Sequence, residues 1–216
     1  MEILQEIVKD KIGFLREMPK PYSSKMPTSS LKTNILSIYL RGKFFEFVSA
    51  PDVFSQSKID KGTQLIIEKM ELANANKILD LGCGIGVIGI VAASIISSNS
   101  QVVLTDINRR AINLTKSNLK KNNIKNAEAR WGDLYEPVKE EKGTFDVIVT
   151  NPPVSSGMKT VFQIIEEATF YLKSQGSLQI VIRKGRKRVF GKLNDVFNTV
   201  LEIGKKAGYH VYKSSI

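Results

Sequence analysis

The chain is poor in the residues that most often carry metal or redox chemistry: 216 residues hold one cysteine and one histidine. A single thiol, Cys83, excludes an intramolecular disulfide and a cysteine-based zinc cluster. The lone His210 falls in a terminal strand-like pattern, where an imidazole reads as structural and not as a proton donor. No apolar run approaches the roughly 20 residues that a membrane span needs. Met1-Glu2-Ile3-Leu4 does not open a secretory signal either, so a soluble, cytoplasmic protein is expected. Acidic residues are scarce as well, 21 Asp+Glu against 32 Lys+Arg, which leaves a formal net charge of +11. That surplus favours a polyanionic partner, RNA or another nucleic acid first, over a merely solubilising lysine-rich surface. It is concentrated at the end of the chain, where residues 183–216 carry nine basic and two acidic side chains. With no internal repeat and an ordinary 42% apolar content, the length fits one large domain with a small appendage.

Residues 1–17 place Ile3, Leu4, Ile7, Val8, Ile12 and Leu15 at helical spacing, and Pro19 and Pro21 stop that pattern. After a Pro/Ser/Lys loop over 18–30, residues 33–40 and 43–49 read as two strands joined by Arg41-Gly42. Residues 60–72 read as a helix. This divides the chain into an N-terminal appendage, 1–58, and a main domain, 59–216. From Asn76 onward strands and helices alternate. Strands are expected at 77–81, 101–105, 127–131, 145–150, 177–182, 199–203 and 209–213, with helices ending at Ile96, spanning 108–122 and 158–172, and over 188–197. Such alternation means an α/β fold with a mainly parallel sheet covered on both faces. Ligands then bind beyond the carboxyl ends of the strands. Gly82, Asp106, Asp133 and Asn151 all fall at such ends.

Asp80-Leu81-Gly82-Cys83-Gly84-Ile85-Gly86-Val87-Ile88-Gly89 admits two ligands. Gly84, Gly86 and Gly89 spell the dinucleotide fingerprint, with Asp106 at the distance of a ribose-binding acid. Gly82-x-Gly84-x-Gly86 preceded by Asp80 suits S-adenosylmethionine (SAM), whose ammonium favours a nearby carboxylate and which has no pyrophosphate for the helix N-terminus. Asp133, with Leu134 behind it, is placed to accept from an adenine amino group. The fourth strand then delivers no nicotinamide site but Asn151-Pro152-Pro153-Val154. Two prolines cannot continue a central strand, so the chain must leave the sheet there. The stiff loop offers carbonyl acceptors and no strong nucleophile, which suits an amino group that must be held and polarised. These two features decide for SAM.

Together these residues resemble the class I SAM-dependent methyltransferases, and within them the "methyltransferase small" family, which includes the RsmC-type enzymes acting on guanine-N2 of ribosomal RNA. The resemblance rests on Val53-Phe54-Ser55, Asp60-Lys61-Gly62-Thr63, the stretch Asp80 to Gly89, Asp106-Ile107-Asn108, Asn118 with Asn122 and Asn123, and Phe145 to Gly157. The compact form looks like archaeal members. The resemblance implies a Rossmann-like seven-stranded sheet with an antiparallel last strand. It implies Gly82, Gly84 and Gly86 at the amino-acid end of SAM, Asp106 and Ile107 at the ribose, Asp133 and Leu134 at the adenine. Residues 53–63 would close over the cofactor, and Asn151 and Pro152 would hold the target amine.

Two departures stand out. Val154 occupies the place where many amino-methylating relatives carry a stacking aromatic, so Phe54 or another ring would have to meet the base. The bacterial enzymes carry two tandem copies of the domain and this chain carries one. Substrate recognition then falls to residues 1–58, to Arg183, Arg186 and Lys187 in the basic run after the fifth strand, or to a second subunit. No metal is required. The competing readings are adenine-N6 methylation, methylation of a protein glutamine, and a SAM- or RNA-binding subunit without catalysis.

Overall fold

The computed structural model describes residues 33–50, 53, 58–152 and 157–216. The expected helix over 1–17 and loop over 18–30 lie outside those residues. Seven strands form one sheet: β3 (Lys77–Leu81), β4 (Gln101–Asp106), β5 (Ala127–Trp131), β6 (Phe145–Thr150), β7 (Leu172–Ile182), β8 (Thr199–Lys206) and β9 (Tyr209–Ser215). Their order is β5-β4-β3-β6-β7-β9-β8. Pairings from β5 to β7 are parallel, and β9 inserts antiparallel between β7 and β8. This is the sheet expected from the sequence.

The strands alternate faces, and each face buries its own core. Ile78, Val102, Leu104, Val147 and Val149 pack under α1 (Lys61–Lys69), α2 (Val87–Ile95) and α3 (Arg109–Lys121). Leu79, Leu81, Val103, Ile148 and Ile180 pack under α4 (Gly157–Tyr171) and α5 (Arg186–Val196). Helices on both faces of a parallel sheet force the strand order to reverse between β3 and β6, and that switch point opens a crevice at the carboxyl edge. Thr150 Oγ1 donates to the Leu81 carbonyl at 2.8 Å, joining the two strand ends there.

Strand β7 begins at Leu172, directly after α4, and not at the expected Ser177. Lys173 to Gly176 carry no apolar alternation, and a register shift beside Phe145 lets them enter the sheet. Helix α1 is shorter than 60–72, with Asp60 as its N-cap, and α5 starts at Arg186, two residues earlier than expected. A 3-10 turn at Glu136–Val138 has no counterpart in the sequence reading.

Strands β1 (Asn34–Leu40) and β2 (Lys43–Ser49) make the expected antiparallel hairpin. Its Leu40, Phe45 and Phe47 join the first core. The outer edge of β2 is satisfied by two side-chain amides of α3. Asn118 Oδ1 accepts from Val48 N at 2.7 Å, while its Nδ2 donates to Val48 O at 3.1 Å and Ile85 O at 2.9 Å. Asn122 does the same for Glu46, accepting at 3.1 Å and donating at 2.8 Å. The carboxamides mimic a neighbouring strand and close an edge that would otherwise invite pairing. Asn122 is the C-cap and Asn123 adopts the left-handed conformation, but Asn118 and Asn122 also dock the hairpin.

Replacing the fully buried Asn118 by Ala leaves three backbone groups without their partner. The variant is expected to lose on the order of 3 kcal/mol of unfolding free energy, since each buried unsatisfied group costs about 1–3 kcal/mol. Urea denaturation of the two proteins checks this.

Candidate active site

The turn between β3 and α2 is held from below by the end of β4. Gly82 N and Cys83 N both donate to Thr105 O at 2.9 Å, and Gly84 N donates to Asp106 Oδ2 at 2.8 Å. Thr115 Oγ1 reaches back from α3 to Gly84 O at 2.9 Å. Three of the four glycines are thus consumed by the turn and its packing. Gly84 is tied by both backbone groups, a Cβ on Gly86 would stand 2.8 Å from Thr115 Cγ2, and one on Gly89 would stand 2.4 Å from Leu104 Cδ2. Gly82 differs. It is exposed, holds φ +74°, and a Cβ there would meet nothing within 4 Å. An open cradle headed by Gly82 fits the SAM pattern better than the dinucleotide one, in which Gly82 has no part. Cys83 lies buried in the turn against Gly84 O and Thr115, and burial pushes its thiol well above the usual range. Its small size explains it.

The acids at this edge sit at different depths. Asp80 is fully buried beneath the turn, its Oδ2 accepting from Gly89 N at 2.8 Å and its Oδ1 without a partner among the described residues. It therefore holds the first turn of α2 and leaves that unpartnered carboxylate oxygen beneath the glycine turn. Burial raises its pKa to about 7, with a smaller push from Asp106. Asp106 is half-buried. Its Oδ1 accepts from Asn108 N at 2.8 Å, and desolvation raises its pKa to about 6 against those backbone bonds. Asn108 in turn caps α3. Ile107 offers its carbonyl to Trp131 Nε1 at 2.8 Å, and the Arg109 guanidinium lies 4.2 Å over that indole. Asp133 is exposed just beyond β5, its N–H held by Glu136, and Leu134 is half-buried with φ +45°. Buried charge with an orphaned oxygen, an open glycine and exposed acceptors form a donor set suited to a cationic, ribose-bearing ligand, so the residues present fit SAM.

Asn151 and Pro152 follow β6 at the switch point. The Asn151 Nδ2 donates to Asp60 Oδ2 at 3.1 Å and to Thr63 Oγ1 at 2.9 Å. Asp60 can only accept, so the amide has its nitrogen turned toward α1 and its oxygen turned away. A small cavity of about 20 Å³, lined by Thr63, Gly82, Cys83, Ile85, Val87, Ile88 and Asn151, connects the glycine turn to that amide. A larger cleft of about 690 Å³ lies at the opposite edge, between the hairpin and the C-terminal ends of α2 and α3. Pro153, Val154 and Phe54 lie outside the described residues. Arg183 emerges from β7 on the active edge, its guanidinium 5.3 Å from the centre of the Tyr209 ring. Arg186 and Lys187 are exposed on the first turn of α5, Arg186 facing Glu202 at 4.0 Å. His210 pairs with the same Glu202 at 2.8 Å in the terminal strands.

Sequence reasoning did not assign roles to Thr63 or Tyr209. The stretch Asp60-Lys61-Gly62-Thr63 carried a signal, an N-cap before a helix, but nothing near Tyr209 tied it to residues 149 positions earlier.

The sheet order, the glycine turn and the acid closing the second of the seven strands define a class I methyltransferase fold. Residues 44–213 match the model of the methyltransferase small domain, and the chain belongs to that family. It is 36% identical over 200 residues to the uncharacterized protein YbxB of Bacillus subtilis, covering 91% of this chain and 98% of that one. It is 35% identical to ribosomal RNA small subunit methyltransferase C of Haemophilus influenzae over 62% of this chain, spanning only 40% of that relative. A 16S rRNA N2 guanine methyltransferase (RsmC) from T. thermophilus, solved with AdoMet and guanosine, superimposes with a TM-score of 0.75 at 25% identity, over 88% of this chain and 52% of that one. The chain thus spans about half the length of the RsmC proteins. The expected archaeal likeness has no support here, since a relative matched along almost its whole length is bacterial.

If SAM binds beside the raised acids, its binding is expected to be pH-dependent. Below about 6 to 7 both carboxyls of the free protein take up protons, and a cationic ligand favours their ionised forms. SAM affinity is expected to fall as pH drops from 8 to 5.5, with protons released on binding. The sign for the free protein is opposite. Carboxyls raised above their unfolded values destabilise it as pH rises through that window, so the lost affinity is not lost folding. Titration calorimetry in buffers of different ionisation enthalpy reads both, and Asp80→Asn should flatten the profile.

Proposed function

We propose that this protein is a SAM-dependent methyltransferase acting on an exocyclic amino group, with guanine-N2 of small-subunit ribosomal RNA as the target. The observation that carries the reading is the hold on Asn151: its nitrogen is bound by Asp60 and Thr63, which turns its oxygen away from α1, and the residue lines the small cavity beside Gly82. The RsmC relatives and the guanosine held by the T. thermophilus enzyme support guanine among the possible amines.

An exocyclic amine on a purine is a poor nucleophile because its lone pair is conjugated with the ring. The Asn151 Oδ1 and the Pro152 carbonyl accept its two N–H bonds. That turns the lone pair out of conjugation and offsets the positive charge that grows on nitrogen in the transition state. Gly82, Asp80, Asp106 and Asp133 hold SAM, which when bound supplies a methyl group on a sulfonium that is already an activated leaving group. Fixing the amine by two acceptors on a rigid strand end supplies the alignment for in-line transfer. A base within a helix must be everted to reach the crevice. Contacts beyond the base fall to the hairpin of the N-terminal appendage (residues 1–58) and to the basic run from Arg183. The +7 of residues 183–216 is where phosphates are best met. The main domain, 59–216, carries the chemistry. Charge of this sign favours RNA over a protein glutamine.

Asn151→Ala is expected to lower methyl transfer by about 100-fold or more while SAM affinity stays nearly unchanged, as for a group used only in the transition state. Tritiated methyl transfer to RNA from a strain lacking the protein, then nucleoside mass spectrometry, tests activity and target together. N2-methylguanosine is the expected product; N6-methyladenosine, label in protein only, or no label would each reject the guanine assignment. Neutralising Arg186 and Lys187 together should reduce the slope of log affinity for RNA against log salt by about 1 to 2. Filter binding over a salt series measures it, and an unchanged slope removes both side chains from the phosphate contacts.

A further inference from the structure

Asp60 is more than the cap of a helix. Its Oδ2 accepts from Gly62 N at 2.8 Å, Thr63 N at 3.2 Å and Asn151 Nδ2 at 3.1 Å, while its Oδ1 accepts from the Tyr209 hydroxyl at 2.9 Å. The carboxylate thus joins three parts of the chain, the start of α1, the end of β6 and the start of β9. The Tyr209 ring lies so close over the capping turn that a Cβ on Gly62 would stand 2.7 Å from its Cε1. The Arg183 guanidinium lies 5.3 Å from the centre of the same ring. Burial and the Asp60 carboxylate both hold the phenol above its ordinary pKa, so it stays a donor.

We propose that Asp60, oriented by Tyr209, is a positioning residue that fixes the amide of Asn151 with its oxygen toward the substrate amine. An asparagine amide can turn over by 180°, and the flipped form would present N–H groups to N–H groups. A carboxylate, which only accepts, excludes that form as long as it stays in reach. Tyr209 keeps it in reach by occupying the second oxygen. Thr63 adds a second acceptor for the same nitrogen, though its hydroxyl could also donate and so discriminates less. The inference rests on the proposed role of Asn151 in methylating an amine.

The test uses a small-subunit ribosomal RNA transcript with tritiated SAM, and SAM affinity measured separately. Asp60→Ser keeps a good N-cap oxygen but is too short to hold Asn151 and Tyr209 as well. Its kcat should fall at least about tenfold, the scale of a misplaced reacting group, with KM for RNA and Kd for SAM within about twofold. Asp60→Asn, which retains the cap and an oxygen facing Asn151, should recover most of that loss, and Tyr209→Phe should fall between. In an Asn151→Ala background Asp60→Ser should cost nothing further; a full additional loss there overturns the positioning role. A second readout does not depend on the substrate. The side-chain NH₂ protons of Asn151, followed by nitrogen-15 NMR, should be protected from exchange in the wild type and exposed in Asp60→Ser. Unchanged exchange overturns the proposal even where RNA is methylated. A protected amide in a protein that methylates no RNA would instead defeat the functional reading and leave the positioning intact.

Discussion

The active edge depends on one short extension of parallel pairing. The ladder between β3 and β4 does not stop where the strand does; Thr105 O takes the N–H groups of both Gly82 and Cys83, and Asp106 takes that of Gly84. A glycine-rich turn has many conformations to lose, about 1–2 kcal/mol of backbone entropy for each residue fixed. These bonds hold it to one. From that fixed turn follow the direction of α2, the open space at Gly82 and the depth of Asp80. The bond from the Thr150 hydroxyl to the Leu81 carbonyl carries the same frame across to β6, so Asn151 is placed relative to the glycines by paired strand ends and not by loops.

Charge is distributed against the general sign of the molecule. The chain is strongly basic, yet the crevice at the switch point is surrounded by carboxylates: Asp60 and Asp106 at its sides, Asp80 buried beneath the glycine turn and Asp133 beyond β5. Each of the first three receives backbone N–H bonds, which partly offset the loss of water. A cationic ligand finds there what the exposed Arg and Lys side chains withhold. The exposed cations of the run from Arg183 lie beside the crevice, at the carboxyl end of β7. On the proposed function, a polyanionic substrate and a cationic cofactor would be separated into neighbouring regions of opposite sign.

Much of this was legible in the sequence because strand ends announce themselves. Gly82, Asp106, Gly132-Asp133 and Asn151-Pro152 each break an apolar run, and the sheet put all four at one edge. What escaped was of two kinds. Lys173 to Gly176 entered a strand through a register shift that no local pattern encodes. Asn118, Asn122 and Tyr209 act on partners 70 to 149 residues away, and an isolated Asn or Tyr carries no mark of a distant partner. Asp60 was half visible: it stood at the start of the expected helix over 60–72, where an acid can serve as a cap, while the contacts that link it to Asn151 exist only once α1 lies across the end of β6.

That dependence ties folding to chemistry. An acceptor loop such as Asn151-Pro152 is stiff in its backbone, because the following proline restricts the asparagine and fixes its own φ. The one freedom left that matters is the turn of the Asn151 amide, and nothing in β6 or the proline controls it. Control comes from α1, whose first turn is capped by Asp60. The bonds that start the helix and the bond that orients the amide converge on one oxygen, so an α1 that is docked and capped brings the acceptor into line. A site lacking an aromatic at Val154 has particular use for this. With no ring following the prolines to hold a base flat, the proposed function requires that the direction in which an amine meets its acceptors be set by the acceptors themselves.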